Sequence, residues 1–265
     1  MNAFHSLLYE NIVPFFGQWY CNKEIPVIFY HDVVCGTGMG NARISMDNFC
    51  RQLGILQENG FETLTLQEVD RSFSKRKNEK KILITFDDGW ASNYHLVFPE
   101  MKKRNLKFNI FLSAGLIGSD SEKYMTWEQV RQMAQSGLVG FGAHTYSHFD
   151  CKRKMSSEEF QREFLDANRM ISENVGYEVR DFCFPHGLYC ADVIEPIVKA
   201  GIYDKLYTTN SLGVVQHGQL SIVGRFGIED DNSPKVFLNK ALGRYRIMEP
   251  YLKLRRGREP FFYEN

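Results

Sequence analysis

Strand-like and helix-like patterns alternate along most of this chain, and no other feature of the sequence restricts its fold as much. Ile82–Phe86 and Val139–Ala143 are continuous apolar runs of the kind that buried parallel strands show. Helical patterns lie between such runs, for example over Met46–Glu58, Gln67–Ser74 and Thr126–Ser136. Repeated strand–helix units predict an α/β fold whose parallel strands are joined by right-handed crossovers.

Charged and metal-binding side chains follow two of these predicted strands. Asp87 and Asp88 stand at the end of the first run, and His144 and His148 directly follow the second. Two adjacent carboxylates are costly at a strand end unless a metal or another cation compensates their charge. One carboxylate and two imidazoles form an N/O ligand set with room for water, as a hydrolytic metal centre requires. The other carboxylate is then free to act as a base.

These motifs resemble those of the polysaccharide deacetylase family, also called carbohydrate esterase family four. The first two signatures of that family, T-F-D-D-G and H-[ST]-x-x-H, stand intact as residues 85–89 and 144–148. Further likeness covers residues 25–31, 124–128 and 182–187, so that the resemblance extends over roughly residues 25–230. It implies a distorted (β/α) barrel of about seven parallel strands with the functional residues at the C-terminal ends of the strands, and the predicted strands fit that count.

The resemblance implies a role for each of the four motif residues. Asp88, His144 and His148 are the expected metal ligands, and zinc is the first choice of metal because three N/O ligands and an open position suit it. Similar sites also accept other transition metals. Asp87 is the expected catalytic base, since its neighbour ligates the metal while its own carboxylate faces the substrate. The alternatives are histidines held by ordinary hydrogen bonds and an Asp87 that only caps the following helix.

The third family motif, R-x-P-[YFW]-G, is only partly present. Pro185-His186-Gly187 resembles its second half, where the backbone N–H after the proline helps to stabilise the oxyanion. Cys183 stands where the family usually has an arginine that pairs with the base. Arg225, on a later predicted strand, is the candidate substitute, and the alternative is a surface or structural arginine.

The general acid is the second departure from the family pattern. The family's last motif is a leucine-rich strand that ends in the general-acid histidine, and Leu220–Ile228 contains no such histidine. His31 and His186 are the candidates for this role, and His217 is a weaker one. His31 is preferred, because subfamilies that deacetylate exopolysaccharides show a similar tyrosine-histidine pair near the start. We expect the acid to lie on the side of the metal away from Asp87.

Composition excludes several classes of partner and location. Thirty-two basic residues balance 32 acidic ones, so no nucleic-acid partner is expected. The six cysteines form no C-x-x-C pair and are interpreted as mostly reduced thiols. The N-terminus lacks the basic region of a secretory signal, and no apolar run approaches the length of a membrane span. These features predict a cytoplasmic protein.

The chain is divided into an apolar N-terminal segment (1–24), a deacetylase barrel (25–242) and a basic C-terminal tail (243–265). The two ends together could hold the protein peripherally at an anionic membrane surface. The alternative is a helix packed on the barrel and a solvated tail. The side chains concerned are Phe4, Leu7, Leu8, Phe15, Phe16 and Trp19 in the first segment, and Arg244, Arg246, Lys253, Arg255, Arg256 and Arg258 in the last.

The resemblance predicts a metal-dependent hydrolase that removes the N-acetyl group from an amino sugar in a glycan or glycolipid precursor. A soluble or lipid-linked saccharide is the expected substrate. Trp127, Tyr146, Tyr189 and Tyr207 could offer aromatic surface to sugar rings, although core packing is the commoner role of such residues. Two other functions stay open, namely hydrolysis of another C–N bond such as a cyclic amide, and a degenerate carbohydrate-binding domain.

Overall fold

The strands form one large sheet and one small one. The structure is a computed structural model that describes residues 8–20, 23–38, 43–75, 79–210 and 213–248. Within these residues the strands are β1 (Val27–Tyr30), β2 (Asp32–Val34), β3 (Arg43–Ser45), β4 (Glu62–Leu64), β5 (Lys81–Asp88), β6 (Phe108–Leu112), β7 (Val139–Ala143), β8 (Asp181–Cys183), β9 (Lys205–Thr208), β10 (Val214–His217), β11 (Leu220–Gly224) and β12 (Phe226–Gly227).

Most of the connections between strands contain helices. The α-helices span Val13–Tyr20, Met46–Glu58, Phe98–Lys103, Trp127–Gln135, Ser157–Phe160, Ala167–Val175, Ala191–Ala200 and Pro234–Ala241. Three π-helical segments, Leu8–Ile12, Asn93–Val97 and Gln161–Asp166, run directly into α-helices, and short 3-10 helices occupy Leu66–Glu68, Pro185–Gly187 and Arg244–Met248.

The large sheet closes on itself through the segment that contains β11 and β12. β11 pairs in parallel with β9, and after the single residue Arg225 the same segment continues as β12 and pairs in parallel with β1. From β1 the parallel order runs through β5, β6, β7 and β8 back to β9. With β11–β12 taken as one strand, this is the distorted barrel of seven parallel strands that the sequence predicts.

The remaining strands decorate this barrel. β4 pairs in parallel with the first half of β5, and the side-chain amide of Asn109 bridges the gap where β4 ends by bonding Leu64 O and Leu66 N. β10 forms an antiparallel hairpin with β11, and β2 and β3 form a separate parallel pair. The turn of this hairpin lies at the start of β11, at the barrel end opposite to the C-terminal strand ends.

The pleat of the strands divides the apolar residues into two clusters. One cluster, which includes Leu83, Phe111 and Val223, fills the inside of the barrel, whereas the larger one, which includes Ile84 and Phe141, packs between the strands and the surrounding helices. Alternate residues of a strand therefore serve different cores. This alternation explains why the barrel strands read as continuous apolar runs.

Local signals placed some helix ends correctly and failed for one short helix. Thr126 caps its helix as predicted, in a reciprocal pair of hydrogen bonds with Gln129. The predicted helix over Gln67–Ser74 is wrong, since only Leu66–Glu68 forms a 3-10 turn there. Asp70 accepts hydrogen bonds from the backbone N–H and hydroxyl of Ser72 at 2.8 and 2.6 Å, and such local bonds compete with a helix.

The described parts of the two ends pack against each other. A side chain at Gly17 would collide with the carbonyl group of Arg244, which shows how closely helix Val13–Tyr20 approaches Arg244–Met248. Arg246 is buried and pairs with Glu24 at 2.5 Å, so this residue of the predicted basic tail belongs to the folded part. The boundaries 1–24, 25–242 and 243–265 otherwise stay predictions.

Side chains predicted for membrane contact lie partly within the described residues. Of these side chains, Phe15 and Phe16 are 56% and 52% exposed on the N-terminal helical segment, and Ile12, which was not among those predicted, is 41% exposed beside them. Phe4, Leu7 and the basic residues after position 248 lie outside the described residues. No helix in the described part of the chain is both long and apolar enough to cross a bilayer.

Candidate metal centre

The structure brings the three predicted ligands together at the C-terminal end of the barrel. Asp88 is the last residue of β5, and its Oδ1 atom lies 3.5 Å from Nε2 of His144 and 3.4 Å from Nε2 of His148. β5 and β7 both border β6, so their C-terminal ends reach the same rim. The ligand atoms of all three residues lie within 4.8 Å of one another.

The carboxylate of Asp88 supplies the test of whether a cation fits this site. Its Oδ1 atom is buried and accepts no hydrogen bond from the described residues. A buried carboxylate oxygen without a partner is costly unless a cation binds it. The two Nε2 atoms point at this same oxygen, and one carboxylate with two imidazoles is a common ligand set for a divalent metal. The residues therefore fit the metal that the sequence predicts.

Neighbouring groups orient the ligands. Nδ1 of His144 lies 2.7 Å from the carbonyl oxygen of Cys183, so this nitrogen carries the hydrogen and Nε2 is left to bind metal. Burial lowers the pKa of His144 to about 4, against the opposing effect of the nearby aspartates, and keeps the imidazole neutral as ligation requires. The carboxylate ligand is oriented by a tryptophan: the indole Nε1 of Trp90 donates to Oδ2 of Asp88 at 3.0 Å. That bond turns Oδ1 toward the histidines.

Unusual backbone conformations concentrate at this rim. Asp88, Thr145, His148 and His186 all have positive φ angles, between 58° and 74°. Non-glycine residues adopt this left-handed region at a cost of about 1–3 kcal/mol, and it persists only where the surrounding contacts enforce it. Two of these residues, Asp88 and His148, are predicted ligands, whereas the hydroxyl of Thr145 accepts the backbone N–H of Phe149 within the loop.

Glu163 is a site residue that the sequence analysis missed. It is fully buried, and its carboxylate accepts the backbone N–H groups of Tyr146 and Ser147 at 3.1 and 2.8 Å and the Ser147 hydroxyl at 3.0 Å. This carboxylate therefore holds the middle of the loop between the two histidines, and backbone bonds from Ala114 and Gly115 to the carbonyl groups of that loop support it from the other side. A buried glutamate in the middle of an amphipathic helix was the available signal, although its partner could not be known.

The predicted base is held by the predicted arginine. Both Nη atoms of Arg225 bond the carboxylate of Asp87 at 2.7 Å, and neither residue is more than 2% exposed. Burial raises the pKa of Asp87, but the charge and the hydrogen bonds of Arg225 outweigh it and hold this pKa well below its usual range. Arg225 thus pairs with Asp87 in place of the arginine that Cys183 replaces, and the alternative of a surface arginine is wrong. Because Asp87 faces the barrel interior, its carboxylate is engaged by Arg225 rather than by a helix terminus.

Cys183 completes the surroundings of this pair. Its Sγ atom lies 2.9 Å from Nη2 of Arg225 and 4.0 Å from Oδ2 of Asp87. Burial raises the pKa of Cys183 well above its usual value, so the thiol is neutral. Asp87, His144 and Cys183 also cluster closely enough to hold an ion. The guanidinium of Arg225 contacts two of the three, which makes this set the poorer cation site.

The two candidate acids lie on different sides of the centre. Nε2 of His31 is 3.9 Å from Oδ2 of Asp87, because β1 is the neighbour of β5. The expectation that the acid lies away from Asp87 is therefore wrong for His31. His186 packs edge-on against His148 with ring centroids 4.8 Å apart. His217 is exposed on β10 at the opposite end of the barrel and cannot take part.

The aromatic residues proposed to contact sugar divide into two groups. Tyr189 and Tyr207 are fully buried, so the idea that they offer surface to a sugar is wrong. Tyr189 stacks on Phe184 with ring centroids 4.3 Å apart, and the Tyr207 hydroxyl donates to Asp181 inside the barrel at 2.8 Å. Trp127 and Tyr146 are only half-buried.

Comparison with known proteins defines the family. The sequence profile described as "Polysaccharide deacetylase" matches residues 74–204, and the chain belongs to the polysaccharide deacetylase family. A putative polysaccharide deacetylase of Bacillus subtilis, YxkH, is 28% identical over 180 residues, which cover 67% of this chain and 62% of the relative. The poly-beta-1,6-N-acetyl-D-glucosamine N-deacetylase of Escherichia coli is 26% identical over 238 residues, covering 72% of this chain and 34% of the relative. The chain thus spans less than two thirds of either relative.

Solved structures show the same fold. IcaB from Ammonifex degensii matches with a TM-score of 0.68 at 27% identity, over 83% of this chain and 98% of that one. The Streptococcus pyogenes deacetylase PplD, in complex with acetate, matches with a TM-score of 0.72 at 24% identity, over 83% and 99% of the two chains.

Proposed function

We propose that this protein is a metal-dependent N-deacetylase that acts on polymers or oligomers of N-acetylated amino sugars. The observation that carries the proposal is the pairing of a three-residue ligand set, Asp88, His144 and His148, with a separate carboxylate that a buried arginine keeps ionised. The poly-N-acetylglucosamine N-deacetylase among the relatives supports this substrate class. A lipid-linked saccharide is the second proposed substrate.

In this proposal Asp88, His144 and His148 hold a divalent metal, with zinc as the first choice. When bound, the metal supplies Lewis acidity toward the acetamide carbonyl and the attacking water. Asp87 takes the proton of that water as the oxygen joins the carbonyl carbon. Because Arg225 makes Asp87 a weak base, the proton is readily passed on toward the leaving nitrogen.

The tetrahedral adduct formed in this way then loses its C–N bond, and acetate and the free amine leave. His31 is the first candidate to protonate the nitrogen, since it contacts the carboxylate that collects the proton. His186 is the second candidate, beside the ligand His148. The backbone N–H of His186 is the proposed donor to the developing oxyanion.

The proposal is tested by acetate release from N-acetylglucosamine oligomers. The wild-type protein, loaded with metal, should release acetate, and chelation should abolish the release. Asp87→Asn should keep its metal and lose turnover by a factor on the order of 10²–10⁴, the usual contribution of a positioned base. Near wild-type turnover of this variant would contradict the role of Asp87.

The alternatives make different predictions in the same assays. A hydrolase of cyclic amides would open its ring substrate and release no acetate from oligomers. A carbohydrate-binding domain would bind oligomers without turnover, but it has no need of an ionised carboxylate such as Asp87 beside its ligand set.

We also propose a cytoplasmic location with peripheral membrane contact. Ile12, Phe15 and Phe16 are exposed on one helical segment, with the basic side chains Lys235 and Arg244 beside them. An apolar helix surface next to basic side chains favours an anionic interface, which supports the contact. Phe15→Ser with Phe16→Ser should reduce sedimentation with phosphatidylserine vesicles. Equal sedimentation of variant and wild type would count against this contact.

A further inference from the structure

A half-buried aromatic pair lies directly beside the candidate metal centre. Trp90 and Tyr124 face each other across an isolated antiparallel bridge, with ring centroids 5.4 Å apart and an interplanar angle of 38°. The exposed side chain of Lys123 places its ammonium group 5.4 Å from the Trp90 ring centroid and 5.0 Å from that of Tyr124. We call Trp90, Tyr124 and Lys123 the aromatic shelf.

Hydrogen bonds fix the shelf relative to the metal ligands. Trp90 donates its indole N–H to Asp88, so its ring is hydrogen-bonded directly to one of the predicted metal ligands. The backbone also pairs here, from Ala91 N to Lys123 O at 2.9 Å and from Met125 N to Gly89 O at 3.0 Å. Aromatic surface held in this way is preorganised rather than formed on binding.

The shelf has the chemistry of a sugar subsite with a charge preference. The C–H face of a sugar ring packs on aromatic faces, and half-buried Trp and Tyr supply such faces at low entropic cost. Lys123 adds a positive charge over both rings, which attracts anions and repels cations. A neighbouring sugar that has already lost its acetyl group has a free amine, which becomes a cationic ammonium group when it is protonated.

Resting on the function proposed above, we propose that the aromatic shelf binds the sugar residue next to the one being deacetylated. We propose further that Lys123 makes the shelf prefer a neutral, N-acetylated neighbour over a cationic, deacetylated one. Two unit charges about 7 Å apart in water repel enough to change binding about threefold. Added salt weakens this preference. Deacetylated positions in a product chain should then be spaced apart rather than contiguous.

The stacking part is tested with variants of Tyr124, because replacing Trp90 would also remove the bond to Asp88. For the wild type we expect kcat/KM to rise from mono- to trisaccharide. Tyr124→Ala should lose roughly two- to tenfold of that rise, through KM, since it removes one aromatic face. Tyr124→Phe keeps the ring and should keep the rise. Metal content and circular dichroism check that both variants are folded.

This experiment distinguishes failure of the shelf proposal from failure of the proposed function. If the wild type gains with chain length and Tyr124→Ala gains equally, the shelf proposal is wrong. The shelf proposal is also wrong if Tyr124→Phe loses the rise in kcat/KM with chain length, because this variant keeps the ring on which the sugar would stack. If the wild type releases no acetate from any saccharide, the proposed function is wrong instead.

The charge preference is tested with Lys123→Met and a matched control. Lys102→Met removes another exposed lysine that lies over a ring, that of Phe98 at 5.9 Å, on a helix that carries none of the site residues. Wild type and Lys102→Met should prefer a fully acetylated trisaccharide over one with a deacetylated neighbour about threefold at low salt and at a pH low enough to protonate the amine. Lys123→Met should lose this preference and produce more contiguous deacetylation by mass spectrometry. An unchanged preference in Lys123→Met, or none in the wild type, would overturn this part.

Discussion

The buried pair of Arg225 and Asp87 allows one quantitative test of how the site is built. Arg225 is 0% and Asp87 2% exposed, and two hydrogen bonds of 2.7 Å join them. Arg225→Met keeps an unbranched apolar side chain beside Phe29 but removes the positive charge. The carboxylate of Asp87 is then left inside the barrel without its cationic partner. Removal of one partner of such a pair costs about 3–5 kcal/mol of unfolding free energy.

Removing both charges should restore much of this loss. A buried pair replaced as a whole by uncharged groups of similar size often costs little, because both desolvation penalties disappear together. The double variant Arg225→Met with Asp87→Asn should therefore be more stable than Arg225→Met alone. The two sites are in contact, so their effects should be strongly non-additive.

The assay is urea unfolding followed by circular dichroism, in the presence of EDTA so that metal binding does not contribute. Arg180→Met is the matched control, since its pair with Asp204 at 2.8 Å is partly exposed and should contribute at most about 1 kcal/mol. A cost below about 1 kcal/mol for Arg225→Met, or strict additivity in the double variant, would refute the reasoning.

Three further outcomes are expected. His148→Ala should fold but bind metal far more weakly, as titration against a chelator would measure, and undiminished metal binding would rule out this ligand. Glu163→Gln should lower metal affinity roughly 10- to 100-fold in the same titration, because one of the two carboxylate oxygens that accept from the loop becomes an NH2 group that cannot accept. Unchanged affinity would show that the loop to His148 does not depend on this carboxylate. Asp230→Ala removes an acceptor of three hydrogen bonds of 2.8 Å from Ser45 and Asn48, at a cost of about 1–2 kcal/mol in urea unfolding at pH 7. Burial raises the pKa of Asp230 but the bonds from Asn48 and Ser45 lower it below its usual value, so this difference should shrink as pH falls below about 4, and a difference that grew in acid would contradict the assignment.

Much of the architecture and the identity of the ligands follow from the sequence because their causes are local. A continuous apolar run predicts a buried strand wherever it stands, and the predicted strands Ile82–Phe86 and Val139–Ala143 form, the first as part of Lys81–Asp88. Asp88, His144 and His148 each follow such a run, and in a parallel barrel all strand ends of one polarity share a rim. The position of these residues at one end is therefore a consequence of pattern and fold class together. Helix ends with a side-chain cap, such as Thr126, depend on neighbours only three residues away.

What the tertiary structure alone decided are contacts between residues distant in the sequence. Arg225 reaches Asp87 only because the strand that contains it changes partner from β9 to β1 and closes the barrel at that residue. His31 lies on the side of Asp87 because β1 borders β5, and Glu163 meets the histidine loop only once its helix has packed. In each of these contacts, the residues next to one partner in the sequence contain no signal that predicts the other partner. The sequence therefore determines which residues carry the chemistry, whereas the closure of the sheet decides which partners hold them in place.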